Sequence, residues 1–183
     1  MTSGAATRQA PSVRPVRGRV AIVLLSWLAM LGVDLFLHAG LLAPLYDWDS
    51  PFLLRPEEAF LRIPIGYLSF LILAIALVWL LPRFKVELGR DGALIAGAFG
   101  AVGWGALLLG LWSVSTADPG LLAGWWVGQT VELGLGGYVI GSILGGARVR
   151  AVAGKVGVVL VVGALWAVVL QAIGYATASV VVR

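Results

Sequence analysis

The sequence predicts an all-α fold: a polytopic membrane bundle of five transmembrane helices with a short external interfacial helix. Three observations predict it. Of 183 residues, 60% are hydrophobic and 12% charged, where a soluble domain holds roughly 25% charged residues. The mean hydropathy is +0.98, and the apolar excess lies in blocks of about 20 residues, enough for a helix to cross a roughly 30 Å hydrocarbon core. The basic residues, finally, gather in alternate connections between these blocks. No cysteine is present, which excludes a disulfide scaffold, a thiolate nucleophile and a cysteine-ligated metal.

Residues 1–19 are rich in Ala, Ser, Pro and Arg without periodicity and read as a flexible basic tail. The first span, 20–43, is interrupted by Asp34 and His38 alone. It is longer than a signal-peptide core of roughly 7–15 residues and no small-residue cleavage site follows, so it reads as a retained helix. Four more spans follow at 63–81 (ended by Pro82), 92–114, 121–145 and 156–175. Residues 20–175 then form a single transmembrane domain, with 176–183 as a short C-terminal tail. The 115–120 connection is short, and a re-entrant turn there would leave four full spans.

Between the first two spans, Pro56 followed by Glu57 and Glu58 has the form of a helix first turn, with proline early and acids at the positive dipole end. Glu58 and Arg62 are four apart and can pair. Phe52, Leu53, Leu54, Phe60 and Leu61 give the segment an apolar component. It reads as a short external helix lying on the membrane or capping the bundle, running into the second span past Pro64.

Charge placement orients the chain. Five spans put Arg8, Arg14, Arg17, Arg19, Arg83, Lys85, Arg90, Arg148, Arg150 and Lys155 on one side, ten of thirteen basic residues. The other side holds Arg55, Arg62 and Arg183, with Asp47, Asp49, Glu57, Glu58 and Asp118. The positive-inside rule then sets the N-terminus in the cytoplasm and the C-terminus outside a bacterial inner (plasma) membrane. The net charge of +4 is thus a topology signal. No soluble domain exists to carry a groove for nucleic acid. The expected partner is the lipid bilayer, its anionic headgroups met non-specifically by the cytoplasmic flanks.

Small residues mark the packing faces. Gly137, Gly141 and Gly145 recur every four residues, with Gly134 near the same face; Gly92, Ala96 and Gly100 do the same in the third span, as do Gly97, Ala101 and Gly105. Such spacing lets helix backbones approach closely in lipid. Internal packing is the first reading, and contact within a homodimer or larger membrane complex the second. Trp48, Trp79, Trp112, Trp125 and Trp126 lie near span ends as interface anchors, while Trp27, Trp104 and Trp166 are deeper and read as packing.

The informative residues are those that lipid would reject. Asp34 and His38 share a face of the first span, roughly 13 and 7 Å from its outer end. Gln129 and Glu132 share a face of the fourth, roughly 12 and 16 Å from its outer end. Gln171 lies in the outer half of the fifth. An ionisable group exposed to lipid at such depth costs several kcal/mol, so these side chains should face the bundle interior. Together they could relay protons, hold a cation, act as acid and base on a small amphipathic substrate, or merely lock helices together.

Metal binding and a cofactor are not expected: the D-x-x-x-H spacing matches no strong motif, and a second histidine is missing. A serine hydrolase is disfavoured, because no G-x-S-x-G elbow exists and the hydroxyls of Ser69, Ser113 and Ser142 should bond back into their own helices. The leading function is transport of a small molecule or ion through the polar cluster. An intramembrane enzyme acting on a lipid-like substrate and an accessory subunit of a membrane complex are the alternatives. No inverted repeat is visible, so a transporter of this size would need to dimerise.

The Asp34-to-Tyr46 stretch, the glycine-rich third span ending near Trp112–Asp118, and Trp126 through Gly134 of the fourth span resemble small bacterial inner-membrane families of unknown function. The resemblance covers roughly Val20 to Gly145. Glu132 stands where an aspartate is usual, and His38 and the fifth span are additions. The resemblance implies a compact helical membrane fold and carries no activity, substrate or cofactor.

Overall fold

The computed structural model describes residues 16–46 and 52–175. The tails beyond those limits, together with Asp47, Trp48, Asp49 and Arg183, lie outside the described residues. Within them the chain forms five long helices: α1 (Val16–Phe36), α2 (Pro56–Leu80), α3 (Gly89–Val114), α4 (Pro119–Leu144) and α5 (Val149–Ala172). Helix α1 starts four residues before its apolar block and α5 seven before its own. An apolar block measures the part of a helix that suits lipid. Arg150 and Lys155 extend α5 beyond that part without breaking it.

The external segment is not a separate helix. Residues from Pro56 run continuously into the second span, with Pro64 accommodated inside the helix. Glu58 pairs with Arg55 at 2.8 Å rather than with Arg62, because Arg55, at the N-cap of α2, reaches the first turn directly. At the same end of the bundle, Asp118 caps α4 by accepting the Leu121 N–H at 2.9 Å, with Pro119 in the first helical turn. The α4–α5 turn closes through Gly146, whose φ of 98° suits a residue without a Cβ.

The helices pack in the spatial order α3, α4, α1, α5, with α2 against α1 and touching α4. Glycine makes the closest of these contacts possible. A Cβ on Gly92 would collide with the carbonyl of Gly137, and one on Gly137 would strike Gly92 and Ala96. Gly100 faces Leu133, while Gly141 and Gly145 lie against the chain entering α3, at Leu88 and Glu87. The small-residue stripe of the sequence is therefore the α3–α4 interface. A second pair, Gly32 and Gly163, joins α1 to α5 in the same way, and Gly40 meets Ala167 further along.

Side-chain donors to backbone carbonyls reinforce the α1–α4, α1–α2 and α3–α4 contacts. Ser26 donates to Gly136 at 3.2 Å, Trp27 to Tyr67 at 2.8 Å and Trp126 to Ala101 at 2.8 Å. Trp79 and Trp112 are exposed, as anchors should be, and the Arg83 guanidinium lies over the Trp79 ring at 3.6 Å. Trp166 is less buried than its depth suggested and stacks on Phe36.

Polarity is inverted relative to a soluble bundle. Ile65, Leu68, Ile72, Ile75 and Trp79 are exposed along one stripe of α2, and Val158, Val161, Leu165 and Val168 do the same on α5. Among the described residues, four helices are long and apolar enough to cross a membrane: α1, α2, α3 and α5, each with its flanks. The sequence expectation of five is thus met for four. Helix α4, 26 residues long, is outside that set. Its glycines and polar side chains lower its hydropathy, and its position accounts for them. It buries twelve residues, against four in α3 and five in α5, so its solvent is mostly the other helices.

The apolar core, with Met30, Leu77, Leu81, Leu133, Ile140 and Ile143 at its centre, fills the half of the bundle nearest the α2–α3 and α4–α5 turns. The polar groups lie in the other half.

Candidate functional site

Asp34 sits in the last α-helical turn of α1. At Leu37 the helix widens into a π turn, Leu37–Leu41, closed by the Leu42 N–H on the Leu37 carbonyl at 2.6 Å. Pro44 explains why the helix stops here. It has no N–H for a carbonyl one turn earlier, and the chain reverses through a short 3-10 helix, Ala43–Tyr46. Widened turns of this kind disturb the backbone ladder and frequently accompany functional sites.

The end of α5 repairs that ladder. Gln171 donates to the Ala39 carbonyl at 3.3 Å, and the Tyr175 hydroxyl donates to the Leu41 carbonyl at 3.2 Å. Ala39 would otherwise seek its π partner at Pro44. Gln171, expected among the acids, is therefore a backbone partner beside the site rather than a member of the acid–histidine cluster.

The reversal returns Tyr46 to His38, with the hydroxyl 2.6 Å from Nδ1. The Trp125 indole N–H donates to the same hydroxyl at 2.7 Å. Leu42 and Leu45 close over α4 at Gly124. Trp125, expected as an interface anchor, points inward and helps fix Tyr46. Burial pushes the Tyr46 phenol above its ordinary pKa, so it stays protonated and neutral.

From α4, Glu132 enters with 0% exposure. Its Oε2 accepts from Gln129 Nε2 at 2.6 Å, and its Oε1 lies 3.3 Å from His38 Nε2. Ligand atoms of Asp34, His38 and Glu132 all fall within 4.8 Å of one another. Gly128 permits this meeting, since a Cβ there would stand 2.5 Å from His38 Nε2. The structure thus brings together four of the five sequence-derived residues: Asp34, His38 and Glu132, with Gln129 bonded to Glu132.

Among the described residues, three buried side-chain atoms have no hydrogen-bond partner: His38 Nε2, Glu132 Oε1 and Gln129 Oε1. The first two face each other at ion-pair distance, 3.3 Å. Their chemistry depends on the imidazole tautomer. When Tyr46 donates to Nδ1, a neutral ring carries its proton on Nε2, towards Glu132. When Nδ1–H donates to Tyr46 instead, Nε2 of a neutral ring turns a lone pair towards a carboxylate oxygen, whereas an imidazolium carries a proton on Nε2 as well. Two lone pairs at 3.3 Å repel unless a positive charge lies between them. Tyr46 can serve either state, because a hydroxyl both donates and accepts.

Sequence reading missed Tyr46, Trp125 and Gly128 as parts of this group. The signal for Gly128 was available: it lies one turn before Glu132, on the same face of α4. Tyr46 carried a weaker one, an aromatic with a polar tip after an Ala–Pro reversal. No family model, curated protein or solved structure matches the chain.

Proposed function

We propose that the chain is a multi-pass protein of the bacterial inner membrane that moves a small ion or small molecule through the Asp34–His38–Glu132 cluster. In this reading α4 is a fifth crossing, shielded by its neighbours, and the N-terminus is cytoplasmic. The alternating distribution of basic residues supports that orientation. The resemblance to small inner-membrane families is in keeping with it. The observation that carries the functional reading is the convergence of two carboxylates and an imidazole, from helices remote in sequence, inside an apolar bundle. Intramembrane ionisable groups are costly and characteristically mark ion or substrate pathways.

Reconstitution tests it. Purified protein in liposomes should dissipate an imposed proton or cation gradient, and Asp34→Asn and Glu132→Gln should each reduce that flux at least tenfold. Flux indistinguishable from empty liposomes, or unchanged in both variants, rejects the transport reading.

A further inference from the structure

We propose that the cluster is a binding site for one divalent first-row transition-metal ion, held by His38 Nε2, Glu132 Oε1 and a carboxylate oxygen of Asp34. This rests on the reading above that the cluster is a functional site, and it names the chemical class of what the site takes.

Geometry gives the first argument. Two ligands each about 2.0–2.1 Å from a tetrahedral ion stand roughly 3.3 Å apart. That is the separation found between His38 Nε2 and Glu132 Oε1, 3.3 Å. Asp34 completes a set within 4.8 Å, and a side-chain rotation would close the remaining gap of roughly 1.5 Å to tetrahedral spacing.

Hydrogen bonding around the cluster points the same way. Glu132 is 0% exposed and Gln129 8%, yet Gln129 Oε1 has no hydrogen-bond partner, and Glu132 Oε1 and His38 Nε2 have only each other, at ion-pair distance. Buried polar atoms are seldom orphaned, and each orphan requires an explanation such as a bound ion. Here two of the three are facing ligand atoms. The other, Gln129 Oε1, is a further acceptor on a side chain already bonded to Glu132.

Charge and ligand type narrow the ion. Two carboxylates offset a divalent charge in a medium that tolerates no excess. One imidazole with carboxylate oxygens favours zinc, iron or manganese over a soft monovalent ion. Calcium and magnesium want six or more oxygens or several retained waters, which the imidazole does not provide. Three protein ligands leave a coordination position open, the pattern of sites that exchange or activate what they bind rather than of closed structural sites.

The surroundings supply the orienting shell such a site needs. His38 Nδ1 has Tyr46 as its partner at 2.6 Å, and Trp125 anchors Tyr46 at 2.7 Å. A histidine ligand characteristically donates its other ring N–H to an outer partner, and loss of that partner costs about 10–100-fold in metal affinity. The absence of a second histidine counted against a metal in the sequence. It loses force once two carboxylates separated by 98 positions are found to share the site with His38.

The experiment uses untagged full-length protein in detergent, stripped with chelator and titrated with Co2+, whose visible absorption reports its coordination. One equivalent should bind, show d–d bands and be displaced by Zn2+. His38→Gln and Glu132→Gln should each weaken binding more than tenfold, with helicity and melting behaviour checked in parallel. Tyr46→Phe should weaken it about 10–100-fold with all three ligands intact, whereas Gln171→Ala should leave it unchanged. No binding of Co2+, Zn2+ or Mn2+ up to millimolar concentration overturns the proposal. Binding that survives both ligand substitutions in folded protein overturns it equally, because the ion then lies elsewhere. Gradient dissipation without metal binding would retain transport and remove the metal; metal binding without any flux would do the reverse.

Discussion

Gly128 and Tyr46 hold the site in shape although neither ionises in it. A methyl group on Gly128 would stand 2.5 Å from the imidazole, so Gly128→Ala must push His38 away from α4. Overpacking of this kind costs about 1–3 kcal/mol, and thermal unfolding in detergent should show a lowered midpoint together with lost flux. Tyr46→Phe leaves the Trp125 indole N–H and His38 Nδ1 without their shared partner. One unsatisfied buried donor costs about 1–3 kcal/mol, which the same measurement reads. The ionisable members of the group were legible as residues that lipid would reject. Their companions were not, because a glycine and a tyrosine are unremarkable in a span, and only the chain reversal at Pro44 places Tyr46 over His38.

The end of α1 depends on α5. A helix terminus leaves carbonyls without donors, and here the Gln171 and Tyr175 side chains supply two of them. Gln171→Ala should therefore destabilise the protein by about 1 kcal/mol, visible as a lower unfolding midpoint while metal affinity is retained. That outcome separates a backbone partner from a member of the cluster. The α3–α4 interface was legible because its glycines and alanine recur every four residues on both helices. The α1–α5 interface was less legible, since Gly163 and Ala167 meet Gly32 and Gly40 with Phe36 standing between the two glycines. Helix limits were less legible than helix existence: hydropathy ends where lipid ends, while backbone hydrogen bonding continues through Arg150 and Lys155 into the α4–α5 turn.

For the whole molecule, the question is what surrounds α4. Burial among α1, α2 and α3 explains how a helix with Gln129, Thr130 and Glu132 can belong to a membrane bundle although hydropathy alone sets it apart. The chain has no cysteine, so single substitutions can report sidedness. Thr116→Cys and Ala147→Cys, at opposite ends of α4, should react with an impermeant maleimide from opposite faces of oriented vesicles. Reaction from the same face would show that α4 does not cross.

On the proposed function, the Asp34–His38–Glu132 group exists for its chemistry and not to lock helices together. Glu132→Gln keeps the volume of the side chain and a carbonyl oxygen for Gln129, while removing a fully buried carboxylate whose Oε1 faces only His38 Nε2, at 3.3 Å. A site maintained at the expense of stability should lose nothing by that exchange. The decisive measurement is the thermal unfolding midpoint of Glu132→Gln beside the parent protein in the same detergent. An equal or higher midpoint is expected. A fall of more than about 4 °C, roughly 1 kcal/mol or more for a chain of this size, would contradict the claim and make the cluster a structural lock.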